Sequence, residues 1–212
     1  LGISDSFSDR EGFTSMIGGS LNGVVDFANH AVVRYTGIPD EVSGSGYLVD
    51  DSSRQLKPYT VHNGQKIQAY KFNRKNKEFI NVQPNITFGQ NGASFALWFK
   101  CGNSNKRWTR LFDFGNGRGN NNVLMAFYNR SLRLYVFSSN GVTYKNDVAF
   151  DLHKKWYHVV WSMHPNGTWK VYINGHLEQS YSNMNYPDDV VRMNQYIGMS
   201  NWDYDQMYSG LI

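Results

Sequence analysis

The sequence predicts an all-β fold, a jelly-roll sandwich of two antiparallel sheets preceded by an irregular N-terminal arm. Three observations carry that prediction. Short apolar runs recur along the chain; in Ser94–Lys100, Phe95, Leu97 and Phe99 fall on one side and Ala96 and Trp98 on the other, the period of a strand. Turn residues separate the runs, with 20 glycines and many Asn and Ser against only five prolines. The third is the supply of core material, 14 Tyr, 13 Phe and 6 Trp in 212 residues, with no sustained helical period competing for it. Strands that are apolar on alternate positions need a second layer to cover their inner face, so two sheets must pack together.

Taken in order, residues 1–45 show no sustained period and are broken by Gly18-Gly19, Asn22-Gly23 and Gly44-Ser45-Gly46. Only Val24–Val33 could make a short helix or strand there. This arm carries two basic against six acidic residues, which leaves a charge of +8 on the rest of a chain whose net charge is +4. An acidic arm thus precedes a basic domain, residues 46–212, of the size expected for a single β-sandwich. Strands are predicted at Ser94–Lys100, Arg110–Phe114, Val123–Tyr128, Leu132–Phe137, Trp156–Met163 and Trp169–Ile173. Asn129-Arg130-Ser131 and Pro165-Asn166-Gly167 supply turns between neighbouring strands, and Asn174-Gly175 is the strongest hairpin signal.

Cys101 is the only cysteine, which excludes an intrachain disulfide and a thiolate metal cluster and leaves the redox compartment open. Sequons at Asn85, Asn129 and Asn166 would suit a glycosylated surface protein, though an Asn-rich chain also produces such triplets by chance. No apolar run approaches the roughly 18 residues of a membrane span, and no signal peptide is visible. The chain opens on Leu1 and stops at Leu211-Ile212, so it reads as part of a longer protein, with any membrane contact left to segments outside it.

Ser94-Phe95-Ala96-Leu97-Trp98-Phe99-Lys100, Arg110-Leu111-Phe112-Asp113-Phe114-Gly115, Asp151–Val160 with its Trp156-Tyr157-His158, and Lys170-Val171-Tyr172-Ile173-Asn174-Gly175 follow one another in the order of a known domain family. Upstream, Asp50–Ser53 and Gly64–Phe72 are similar to that family's opening, and Tyr196-Ile197-Gly198 with Tyr208–Ile212 to its ending. Over residues 47–212 the chain resembles the laminin-G-like branch of the concanavalin A-like lectin/glucanase superfamily. The resemblance implies a concanavalin A-like jelly roll and one more strand beyond Ile212. It says little about function, because the superfamily includes lectins, adhesion modules, glycosidases and structural domains.

Catalysis finds little support. Glycoside hydrolysis needs two carboxyl groups across a sugar bond, and the Glu-x-Asp-x-x-Glu strand that the resemblance suggests is absent. Glu11, Glu41, Glu78 and Glu178 are scattered, and Asp50-Asp51 and Asp188-Asp189 read as turn residues. The six histidines lack metal-ligand spacing, and His158 shares a strand face with Trp156 and Val160, the place of a packed histidine. There is no Gly-x-Ser-x-Gly elbow, and Asp113–Gly119 lacks the Gly-Lys-Ser/Thr ending of a phosphate loop.

Two kinds of site stay open. The resemblance implies a rim calcium site with one ligand at about Asn122, where the family often has Asp, and further oxygen ligands from Asn201, Asp203 and Asp205. Aromatic residues in turn-rich sequence, Trp108 beside Lys106, Arg107 and Arg110, and Trp202 with Tyr204, could stack on sugar rings while polar neighbours hold the hydroxyls. They could equally cap the sandwich or meet another subunit. One short basic cluster is weaker than the grooves that bind nucleic acid. The expectation is a non-catalytic module that recognises glycan or protein through rim loops, outside the cell or on a virion surface. The alternative is a structural subunit, such as a minor capsid protein of a large DNA virus, whose arm contacts its neighbours.

Overall fold

In the computed structural model the described residues are 47–49, 57–60, 66–83, 86–88, 93–102, 107–128, 131–149 and 155–212. The predicted arm, its boundary with the domain, and Lys106 lie outside them.

Among the described residues there are seventeen strands: β1 (Tyr47–Val49), β2 (Lys57–Thr60), β3 (Lys66–Ala69), β4 (Lys71–Phe72), β5 (Ile80–Gln83), β6 (Ile86–Phe88), β7 (Ala93–Cys101), β8 (Thr109–Gly115), β9 (Val123–Tyr128), β10 (Ser131–Ser138), β11 (Gly141–Ala149), β12 (Trp156–Met163), β13 (Trp169–Ile173), β14 (His176–Tyr181), β15 (Val190–Arg192), β16 (Asn194–Ile197) and β17 (Gly210–Leu211). A seven-stranded sheet runs β1-β5-β16-β8-β9-β10-β11 and a six-stranded sheet β14-β13-β12-β7-β17-β4; two short pairs, β15-β6 and β2-β3, stand beside them. Every pairing is antiparallel. Helix among the described residues is limited to one 3-10 turn, Arg74–Asn76. This is the predicted jelly roll of two antiparallel sheets.

The core lies between the two large sheets. From the seven-stranded sheet come Leu111, Phe112, Phe114, Val123, Met125, Phe127, Leu132, Leu134 and Val136; they meet Phe99, Val159, Trp161, Met163, Trp169 and Val171 of the other sheet. Trp161 and Trp169 pack edge to face at 5.0 Å. The alternation read from β7 holds: Phe95, Leu97 and Phe99 join the core, while Trp98 turns to Trp156 and Ala69 on the far side. His158 is buried there against Trp98, at 5.0 Å, and burial holds its imidazole down to about 4. It is a packed histidine.

Turn chemistry sets the register. Asn174 and Gly175 both have positive φ, 52° and 87°, which is what a two-residue hairpin between right-twisted strands demands. Asn174 also accepts the His158 amide through Oδ1 at 2.9 Å. Two loops beside β8 and β9 are fastened by buried or polar side chains. Arg192, fully buried, donates to the carbonyls of Asn121, Val190 and Asp188 at 2.9, 3.2 and 2.9 Å, and Asp188 accepts Ser139 N and Oγ at 2.6 and 2.9 Å. Asn116 bridges Val191 O and Met193 N, both at 2.8 Å. The rim at this end of the sandwich is therefore a braced surface.

Candidate ligand-binding site

The rim is organised around Asp113. Its strand, β8, lies in the middle of the sheet with β16 and β9 on either side, so Asp113 is fully buried although its neighbours Phe112 and Phe114 face the core. The carboxylate receives Asn122 Nδ2 at 2.8 Å, Asn201 N at 3.0 Å, Asn201 Nδ2 at 3.0 Å and the Arg110 guanidinium at 3.4 Å. Burial pushes the Asp113 carboxyl up, and Arg110 with the amide donors pulls it back. Arg110 also meets Asp205 at 2.6 Å, and Ser200 Oγ donates to the same Asp205 oxygen at 3.1 Å. Burial raises Asp205 in turn, against the pull of Arg110.

Arg110 is gripped from two further directions. Its guanidinium lies over the rings of Trp108 and Trp202, at 5.4 and 5.3 Å from their centroids, so two of the aromatic residues singled out in the sequence flank one cation. Trp108 has φ of +61°, the left-handed region that a bulky residue seldom occupies. Its amide donates to Phe127 O at 2.7 Å, which fixes the turn, and its ring packs on Tyr128 and Tyr135 at 5.2 and 5.7 Å. Trp202 leans on Phe137 at 5.5 Å. Tyr204 is 67% exposed, with Arg118 over its ring at 5.1 Å.

The structure thus brings Trp108, Trp202, Asn122 and Asp205 into one network and sets Tyr204 and Asp203 on its exposed margin. As arranged, these donors do not fit a calcium ion. The place between the two carboxylates is filled by a guanidinium, Asn122 offers its NH2 to Asp113, and a divalent ion there would have to displace Arg110 against charge repulsion. Among the described residues no group of three or more His, Cys, Asp and Glu is placed to hold a metal.

Sequence reasoning placed Arg110 beside Trp108 but missed its pairing with Asp113, and a strip of side chains beside it. On β10, Leu132, Leu134 and Val136 are buried, and the alternate positions turn Arg133, Tyr135 and Phe137 to the outer face. Tyr135 stacks on Tyr144 of β11 at 5.0 Å with the rings 12° apart, and Tyr144 and Val142 are each 52% exposed. The Arg133 guanidinium lies 3.9 Å from the Tyr128 ring and 5.0 Å from that of Trp108. The signal was available: outward positions of a half-covered strand are ordinarily polar, and these are Arg, Tyr and Phe.

Comparison with known proteins agrees with the architecture. Among solved structures, domain 4 of the extracellular arabinanase AbnA from Geobacillus stearothermophilus, in complex with arabinotriose, is similar with a TM-score of 0.55 at 19% identity, over 82% of each chain. The ligand-binding domain of botulinum neurotoxin serotype D in complex with N-acetylneuraminic acid gives 0.54 at 18% identity, over 85% of this chain and 45% of that one. Domains LG4-5 of the mouse laminin alpha1 chain give 0.52 at 12% identity, over 77% and 43%. The chain spans less than half the length of these last two, and at such identities the likeness shows fold alone. No curated protein sequence matches. The family model Laminin_G_3, described as the concanavalin A-like lectin/glucanases superfamily, matches residues 74–212, and to that family the chain belongs.

Proposed function

We propose that this domain is a non-catalytic recognition module that binds glycan through the rim built on Trp108, Trp202 and Tyr204. The observation that carries the reading is the setting of Trp108. A tryptophan is held in a left-handed turn, in contact with two arginines and two tyrosines, where a glycine would sit without strain. Strain of that kind places a flat ring at the surface in one orientation, and a preorganised indole is what stacking on a sugar ring requires.

The same geometry argues against hydrolysis. Asp113 and Asp205 are drawn together, but both are tied to Arg110 and to fixed donors, so neither is free to exchange a proton with a glycosidic oxygen. Binding without calcium follows from Arg110 standing between the carboxylates. The complexes of the AbnA domain with arabinotriose and of the toxin domain with N-acetylneuraminic acid support a glycan as the ligand class, and the extracellular setting of the arabinanase supports action outside the cell. The assembly reading rests on the arm, which lies outside the described residues.

A glycan-array screen of the chain, followed by titration of the hits against Trp202→Ala and Tyr204→Ala, tests this. Selective binding that weakens roughly tenfold in either variant, with unfolding unchanged, is the expected result. Silence across the array with a folded protein would sink the reading.

A further inference from the structure

We propose that Asn166, in the turn between β12 and β13, is an N-glycosylation site, an amide presented at the surface to a membrane-bound oligosaccharyltransferase. Of the three sequons, those at Asn85 and Asn129 lie outside the described residues, and the third, Asn166-Gly167-Thr168, is described whole. Asn166 and Pro165 before it are exposed. The turn is closed by the Gly167 amide, which donates to His164 O at 3.0 Å, and by the His164 amide, which donates to Thr168 O at 2.8 Å. Asn166 Oδ1 accepts the Thr168 amide at 3.0 Å.

Turn formation accounts for two of the three residues. Asn is favoured where a side-chain oxygen must take the backbone amide two residues on. Gly167 has φ of +81°, and a Cβ there would come within 3.2 Å of Met184 O. The third residue is left unexplained by the turn, which uses only the Thr168 amide, and any residue but proline supplies one. Among the described residues the Thr168 hydroxyl has no hydrogen-bond partner, and it is not among the buried polar atoms. Asn166 Nδ2 is equally unengaged there. By contrast Asn116, in another Asn-Gly pair, commits both ends of its amide, to Val191 O and Met193 N. The two groups that make a sequon an acceptor, the amide nitrogen and the hydroxyl two residues on, are thus the two that the fold leaves to solvent.

The location is compatible with a functioning rim. β12 runs from Trp156, opposite Lys100, to Met163, opposite Ala93. Phe99, opposite Tyr157, meets Phe127 at 5.4 Å, and Phe127 O takes the Trp108 amide. Trp108 therefore stands by one end of β12, and a glycan on Asn166 grows from the other. The sugar comes from a lipid-pyrophosphate-linked oligosaccharide. Nδ2 bonds to the anomeric carbon as the bond from that carbon to the pyrophosphate oxygen breaks; the lipid pyrophosphate leaves with the electron pair, and Nδ2 gives up one proton to a base.

The test sends the full chain through the secretory pathway of cultured animal cells behind a cleavable signal. Peptides from cell-retained and secreted protein are mapped by mass spectrometry before and after peptide N-glycosidase, which converts a glycosylated Asn to Asp. Wild type and Thr168→Ser should carry glycan at Asn166. Thr168→Val keeps the amide and the branched shape, and should lose the glycan there while melting like wild type when both are made in bacteria. If Thr168→Val melts lower, occupancy in Thr168→Ser and wild type decides the matter. Asn166 unmodified in wild type, glycan confined to Asn85 or Asn129, or glycan persisting at Asn166 in Thr168→Val overturns the proposal.

Discussion

At the scale of single residues, the sandwich rim depends on a few side chains that occupy unfavourable states because their neighbours hold them. Trp108, at φ +61°, is one. Trp108→Gly removes the ring but relieves the backbone, whereas Trp108→Ala removes the ring and keeps the strain; the glycine variant should be the more stable by about 1 kcal/mol in denaturant unfolding. Both should lose glycan binding. Asp113 is another, buried with five polar contacts if the longer one from Ser200 Oγ, at 3.4 Å, is included. Asp113→Ala leaves Arg110 with a single carboxylate and strands the amides of Asn122 and Asn201, so a loss of about 2–4 kcal/mol is expected in the same assay. His158 is the third. Burial depresses its pKa from 6.5 to about 4, so the folded state favours the neutral ring. Its contribution is complete above 6.5 and is lost as the pH falls toward 4, as the unfolded chain takes up a proton that the native chain refuses; the fall amounts to about 3 kcal/mol at most. Melting curves of wild type and His158→Gln should converge in acid and separate above neutrality.

At the scale of elements, legibility follows coverage. β9, β12 and β13 lie where the sequence predicts them, Val123–Tyr128, Trp156–Met163 and Trp169–Ile173, because strands flanked on both sides by others read as apolar runs ended by turn residues. β11, Gly141–Ala149, went unpredicted: it is the edge of its sheet, and Val142 and Tyr144 stand half exposed among polar residues. β17 is two residues long and is set by contact alone. It bridges β7 and β4, and Gly210, at φ +149°, passes so close that a methyl group there would fall on the Lys100 carbonyl and the Tyr208 hydroxyl. Gly210→Ala should detach that strand and expose the Tyr70–Ile212 backbone pair, seen as faster amide exchange at Tyr70 and Ile212 than in wild type.

At the scale of the whole molecule, the candidate site was half legible. The aromatic residues of the site were visible as aromatics in turn-rich sequence, but the charge network was not, since Asp113 meets Asn201 across 88 residues and Arg110 meets Asp205 across 95. Those meetings follow from β16 lying beside β8, a matter of topology that no local pattern encodes. The same network determines how the fold should respond to calcium. A rim built round a bound ion loosens when the ion is withdrawn, because paired carboxylates repel once uncovered. Here the cation is Arg110, covalently part of the chain and seated between the carboxylates it neutralises. Chelator should therefore leave both the melting temperature and glycan affinity unchanged. Arg110→Met uncovers Asp113 and Asp205 together, so that variant should melt lower and, unlike Asp113→Ala, regain stability when millimolar calcium is added. A wild-type melting temperature that drops in chelator would show that a metal, and not the guanidinium, holds the rim together.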